Sequence, residues 1–124
     1  MSFTLEHTTI DSTPSYLIAT ATGRLDSVTS TTFEQALLPL FQQTGQHILL
    51  DCKALDYVAS SGLRVVLMAA KRAQASQGRL LITGLQPQVR DVFAISGFLK
   101  ILHVYDDLET GQAAMGQMLS ANAK

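Results

Sequence analysis

The chain has 124 residues, 47% of them hydrophobic and 15% charged, with a net charge of −1. That length suits a single domain over residues 1–124 with its own core, and the apolar content excludes a disordered chain. The charge balance lacks the basic excess that neutralises phosphates, so no nucleic-acid partner is expected. The one cysteine, Cys52, leaves no intrachain disulfide, and its apolar surroundings in HILLDC point to a buried, reduced thiol. MSFTLEHTTIDS at the start lacks the basic run and apolar core of a signal peptide, and no stretch approaches the roughly 20 apolar residues of a membrane span. A soluble, cytoplasmic protein without membrane insertion is expected.

Phe3 to Thr9 alternates weakly, as an edge strand does, and IDSTPS is a turn. YLIATATG is a second strand ending at Gly23, close enough to the first to form a hairpin. In the segment that follows, Phe33, Ala36, Leu37, Leu40 and Phe41 recur at the spacing of one buried helix face, with Thr29 or Ser30 as its cap. Pro39 falls inside that pattern and should bend it, and Gly45 closes the segment. HILLD at 47–51 is continuously apolar, as in a strand covered on both faces. Leu63 to Gln77 reads as a long helix with Leu63, Val66, Leu67, Ala70 and Ala73 facing the core, stopping at Gly78. RLLITG is a short central strand. A helix near Pro87 buries Val89, Val92 and Phe93 and ends at Gly97. LKILHVY is a last strand, and Asp106 and Asp107 stand at the positive end of a terminal helix, LETGQAAMGQMLSA. The order ββαβαβαβα implies an α/β layer fold, a mostly parallel central sheet with an antiparallel edge strand and about four helices.

Motifs for catalysis are absent. His7, His47 and His103 stand far apart, and no Cys/His pair has zinc-ligand spacing, so no metal site is expected. There is no phosphate-binding glycine loop, dinucleotide fingerprint or G-x-S-x-G nucleophile. Asp26, Asp51 and Asp56 fall singly near strand ends. No catalytic residue and no cofactor follow, and the chain is read as a non-enzyme.

ALDYVASSGLRVVL, at 54–67, places Ser60 and Ser61 at a helix start beyond the HILLDC strand, the end of a parallel sheet where sites gather. A serine there can cap the helix by accepting a first-turn N–H. It can also carry a phosphate, which the free N–H groups and the positive helix end tolerate. Gly62 is a poor helix former and would leave room for another protein to approach the hydroxyl. Arg64, Met68 and Arg72 form one stripe at i, i+4, i+8, flanked by Lys71, suited to a partner contact or to a solvated charged face.

GRLD at 23–26, LDYVASSGLRVVL at 55–67, GRLLIT at 78–83 and VRDVFAISGFLKIL at 89–102 occur in an order and spacing that resemble the STAS domain of bacterial anti-sigma factor antagonists. The resemblance covers essentially the whole chain. It implies partner switching: the unphosphorylated antagonist binds an anti-sigma factor that is also a serine kinase, phosphorylation releases it, and a serine phosphatase resets it. The family's acceptor, the first serine of Asp-Ser-Ser/Thr-Gly, falls on Ser60, with Ser61 in reserve. Asp26, Ser60, Ser61, Gly62, Arg64, Met68 and Arg72 are the residues expected at the partner surface. Ala59 stands where the family has an acid. That departure supports an alternative, a non-phosphorylated STAS scaffold or accessory subunit of a lipid-transport or stress-signalling assembly. Small-ligand binding has no motif to carry it.

Overall fold

Turn chemistry and alternation build the first two strands, β1 (Phe3–Ile10) and β2 (Tyr16–Leu25), which pair antiparallel with Phe3 opposite Gly23. The computed structural model describes residues 3–12, 14–42 and 44–121. β3 (His47–Val58), β4 (Arg79–Thr83) and β5 (His103–Tyr105) add in parallel, so the strand order is β1-β2-β3-β4-β5. The helices between and after them are α1 (Thr29–Leu37), α2 (Ser60–Ala75), α3 (Pro87–Ile95) and α4 (Leu108–Ala121). Element order and sheet type agree with the expectation ββαβαβαβα.

Period-two alternation sorts the strand residues onto two faces. Ala19, Ala21, Ile48, Leu50, Cys52, Leu80 and Ile82 join Phe33, Leu37, Leu63, Val66, Val89 and Phe93 of α1–α3 in the larger core. Leu49 and Leu81 turn the other way and pack with Tyr16 and with Met115 and Leu119 of α4. Cys52 is fully enclosed, and burial, with a smaller push from the Asp51 charge, raises its thiol to about 12. Thiolate chemistry is thereby suppressed, as the buried-thiol expectation requires.

Several boundaries differ from the sequence reading. β3 runs on past Asp51 to Val58, because its polar second half pairs with the end of β2 through two register shifts. Within LKILHVY only His103–Tyr105 is strand, and Phe98–Lys100 is a 3-10 turn. β5 has three residues in register with β4 and no neighbour beyond, too little pairing to keep the preceding apolar run extended. α1 stops at Leu37, and Pro39 lies in the first turn of a 3-10 segment, Leu38–Phe41, as its missing N–H favours. α2 buries Val65 and Ala69 as well as Gly62, Leu63, Val66 and Ala73, while Leu67 and Ala70 are half-buried. The helix is therefore turned slightly from the expected core face.

Candidate functional site

The ends of β2 and β3 meet the starts of α1 and α2, and the junction is held by short polar contacts. Asp26 follows β2, and its Oδ1 accepts the N–H groups of Val28 and Thr29, both at 2.9 Å. Thr29 Oγ1 donates to the Arg24 carbonyl at 2.6 Å and accepts the Asp26 N–H at 2.9 Å. The Thr29 N–H is the chief cause that lowers the Asp26 carboxyl below its ordinary range. The Thr29 hydroxyl, the Val28 N–H and the Arg24 charge add to it, against an opposing desolvation. Ser30, 4% exposed, donates its Oγ proton to the Asp26 carbonyl at 2.6 Å.

The second serine of SSGL joins this network. Ser61 Oγ lies 3.1 Å from Ser30 Oγ and 3.4 Å from the Asp26 carbonyl. Ser30 has already committed its only proton, so Ser61 donates to Ser30. The Ala59 N–H reaches the Leu25 carbonyl at 2.7 Å and fixes the start of α2 against the end of β2. Ser60, beside Ser61, is exposed, and its hydroxyl makes no hydrogen bond among the described residues. Two neighbouring serines are thus unlike: one is a rivet, the other a free hydroxyl at the positive end of a sixteen-residue helix.

The capping expectations are corrected here. The cap positions of α1 and α2 are Val28 and Ala59, and neither helix has a side-chain cap bond from them. Ser60 is already the first helical residue, so its hydroxyl does not occupy the cap position from which a side chain bonds a first-turn N–H. At α1 the capping role passes to Asp26, two residues upstream of the cap position. Gly62 also has a different reason. It is buried, and a Cβ there would stand 2.9 Å from Val58 Cγ2 and 3.0 Å from Leu25 Cβ. The glycine lets α2 approach the strand ends, and it offers no surface to a partner.

Arg64 and Arg72 are exposed on the face of α2 that Ser60 begins, at successive i, i+4 steps. Met68 between them is half-buried and packs against the larger core, so the stripe is two arginines astride an inward methionine. Two apolar groups escaped the sequence reading. Val28 is 77% exposed in the loop after Asp26, and Tyr57 is 40% exposed with the Arg24 guanidinium 4.3 Å above its ring centroid. A valine inside the polar run DSVTST was the available signal. Among the described residues no group of His, Cys, Asp or Glu could hold a metal ion, and no helix is long and apolar enough to cross a membrane.

The STAS domain family model matches residues 7–111. BtrV of Bordetella bronchiseptica, named as an anti-sigma factor antagonist, is 40% identical over 106 residues, covering 86% of this chain and 91% of that protein. An anti-sigma factor antagonist from Mycobacterium paratuberculosis superposes with a TM-score of 0.81 at 20% identity, over 91% of this chain and 93% of that one. The phosphorylated form of the Bacillus cell fate determinant SpoIIAA superposes with a TM-score of 0.64 at 21% identity, over 91% and 99% of the two chains. At such identities these two structures speak for the fold alone.

Proposed function

The chain belongs to the STAS domain family, with relatives named as anti-sigma factor antagonists, and on that premise we propose that it is such an antagonist, switched by phosphorylation of Ser60. The observation that carries this reading is the contrast between the exposed, unbonded Ser60 hydroxyl and the Ser61 hydroxyl engaged with Ser30. Unphosphorylated, the chain docks on an anti-sigma factor that is also a serine kinase. Ser60, Arg64, Arg72, Val28 and Tyr57 form the docking surface, with Asp26 and Ser61 ordering the loops beneath it.

The partner brings ATP. Ser60 Oγ attacks the γ-phosphorus, the bond to the ADP oxygen breaks, and the hydroxyl proton passes to a base of the kinase. The ester adds about −1.5 to −2 charges at pH 7. First-turn N–H groups of α2 face it, so the scaffold needs no rearrangement. The docked kinase meets a dianion in place of a neutral hydroxyl and dissociates. Hydrolysis by a serine phosphatase restores the alcohol. Catalysis lies with the kinase and the phosphatase, and this chain acts as a cytoplasmic binding module without a cofactor.

Ala59 favours a second reading, because an extended alanine at the cap offers the kinase no carboxylate. That reading is a STAS scaffold or accessory subunit that is never phosphorylated. Incubation with the serine kinase encoded beside it and magnesium-ATP, followed by phosphopeptide mapping, separates the two. The expected result is one phosphate on Ser60, loss of labelling in Ser60→Ala, and persistent kinase binding by that variant. Phosphate on neither serine, together with co-purification of a transport ATPase subunit, would establish the second reading.

A further inference from the structure

α2 carries three cations, Arg64, Lys71 and Arg72, and no acidic residue from Ser60 to Ala75. On a helix surface a cation is stabilised by an acid three or four residues away. At those distances Arg64 has only Ser60, Ser61, Leu67 and Met68. Leu63 and Val65 are buried on either side of it and fix the rotation of the helix. Arg64 therefore leaves α2 on the solvent side, one turn beyond the exposed Ser60. Its guanidinium makes no hydrogen bond among the described residues.

Two charged groups that surround the start of α2 are already engaged. Asp26 Oδ1 accepts the Val28 and Thr29 N–H groups at 2.9 Å. The Arg24 guanidinium sits 4.3 Å from the centroid of the Tyr57 ring. Arg64 thus has no answering charge on its own helix, and an ester on Ser60 would supply one. Positions i and i+4 bring Cβ atoms to about 5–6 Å, and the acid N-terminal to the cation is the better orientation. A guanidinium can give two parallel N–H bonds to phosphate oxygens, which a lysine ammonium does not match.

We propose that Arg64 is the intramolecular receiver of the phosphate on Ser60: it faces an acidic group of the docked kinase while Ser60 is a free alcohol, and it closes on the ester once Ser60 is phosphorylated. This inference rests on Ser60 being the acceptor. Release then has two causes, because one event adds a dianion to the docking surface and withdraws a cation from it. The helix itself stays in place, since only a long, exposed side chain has to move.

The test places phosphoserine at position 60 of the full chain during translation, so that no kinase is needed. Phosphorus NMR then follows the ester against pH at about 0.15 M salt, where exposed charges more than roughly 8 Å apart are largely screened. A nearby guanidinium favours the dianion, so Arg64→Gln should raise the pH of its protonation by about half a unit. Arg64→Lys should keep part of the lowering. Lys71→Gln, about 16 Å further along the helix, should leave the titration where it is. In a binding assay Arg64→Gln should weaken the unphosphorylated chain for the kinase by about fivefold or more, and phosphorylation should then weaken the variant less than the wild type. An identical titration in wild type and Arg64→Gln overturns the proposal. So does an equal displacement by Lys71→Gln, which would mean a diffuse field, or phosphorylation that weakens both chains by the same factor. Failure of the kinase to label Ser60 is a separate result: it removes the switch, while the phosphorus titration still decides the role of Arg64.

Discussion

Ser30 and Thr83 are the two buried aliphatic hydroxyl residues among those described, and they lie on opposite faces of the sheet. Ser30 ties the Asp26 loop to Ser61 through contacts of 2.6 and 3.1 Å. Thr83, 0% exposed under α4, has an Oγ1 without a partner among the described residues, while its methyl meets the helix at Gly111. The same functional group is a connector on one face and a space-filler on the other. A buried hydroxyl organises a site only when it both gives and receives. On the Ser30 face that exchange consumes every nearby hydroxyl except Ser60, and so leaves one group for a partner.

The largest effect is expected on the space-filling face. A Cβ on Gly111 would run into Thr83 Cγ2 and stand 3.2 Å from Leu49 Cδ1. Gly111→Ala should lower the free energy of unfolding by about 2–3 kcal/mol, although alanine is the better helix former by roughly 1 kcal/mol. Thr83→Ser removes the offending methyl, so the double variant should recover most of that loss in urea unfolding. Strict additivity would show that Thr83 does not set the height of α4. On the other face Gly62→Ala should cost less, about 1–2 kcal/mol, because Val58 Cγ2 and Leu25 Cβ have to yield only slightly. It should also slow kinase labelling of Ser60, which a packing defect far from α2 would leave alone.

Why one face was readable in the sequence and the other less so follows from the type of signal. Continuous apolar runs at HILL and RLLIT, and the spacing of Phe33, Leu37 and Phe41, report burial directly, and the elements they mark are all present. Gly97 ends α3 with a φ of +78°, a left-handed conformation that glycine adopts without strain. The site was legible as a place, the SSGL junction, and Ser60 as an exposed helix-start serine. The division of labour between Ser60 and Ser61 was not, because it depends on Ser30, 31 residues upstream. Gly62 was misread for a related reason. The sequence shows a missing side chain but not which neighbour, Leu25 or Val58, occupies the space.

Ser30→Ala sharpens the contrast at the site. It deletes a satisfied hydroxyl and leaves Ser61 only the longer contact to the Asp26 carbonyl at 3.4 Å, so a loss of about 1–2 kcal/mol is expected in urea unfolding. Ser61, released, should then become a minor acceptor in the phosphorylation assay. Each face also has an acid at a helix start. Asp26 is lowered chiefly by the Thr29 N–H, and Asp107 chiefly by the Thr110 hydroxyl and then its N–H, which donates to Oδ1 at 2.8 Å. A carboxyl lowered on folding contributes stability that is complete above its unfolded pKa and is lost as the pH falls through the lower folded value. Acidification below about pH 4 should therefore destabilise the wild type more than Asp26→Asn or Asp107→Asn, by urea midpoints compared at pH 7 and pH 3. An unchanged acid response in both variants would remove these two helix starts from the account.

The smallest change asks most of the comparison. Thr83→Val keeps the shape beneath Gly111 and replaces an unpartnered hydroxyl with a methyl. If that hydroxyl organises nothing, its removal relieves a buried orphan and should raise stability by about 1 kcal/mol. Ser30→Val could never do the same, since it would take from Ser61 the acceptor at 3.1 Å and leave it only the Asp26 carbonyl at 3.4 Å. A loss of stability in Thr83→Val, seen as a lower urea midpoint at unchanged slope, would mean that the Thr83 hydroxyl has a partner after all. The two faces of the sheet would then use buried polarity alike, and the distinction that singles out Ser60 would lose its physical basis.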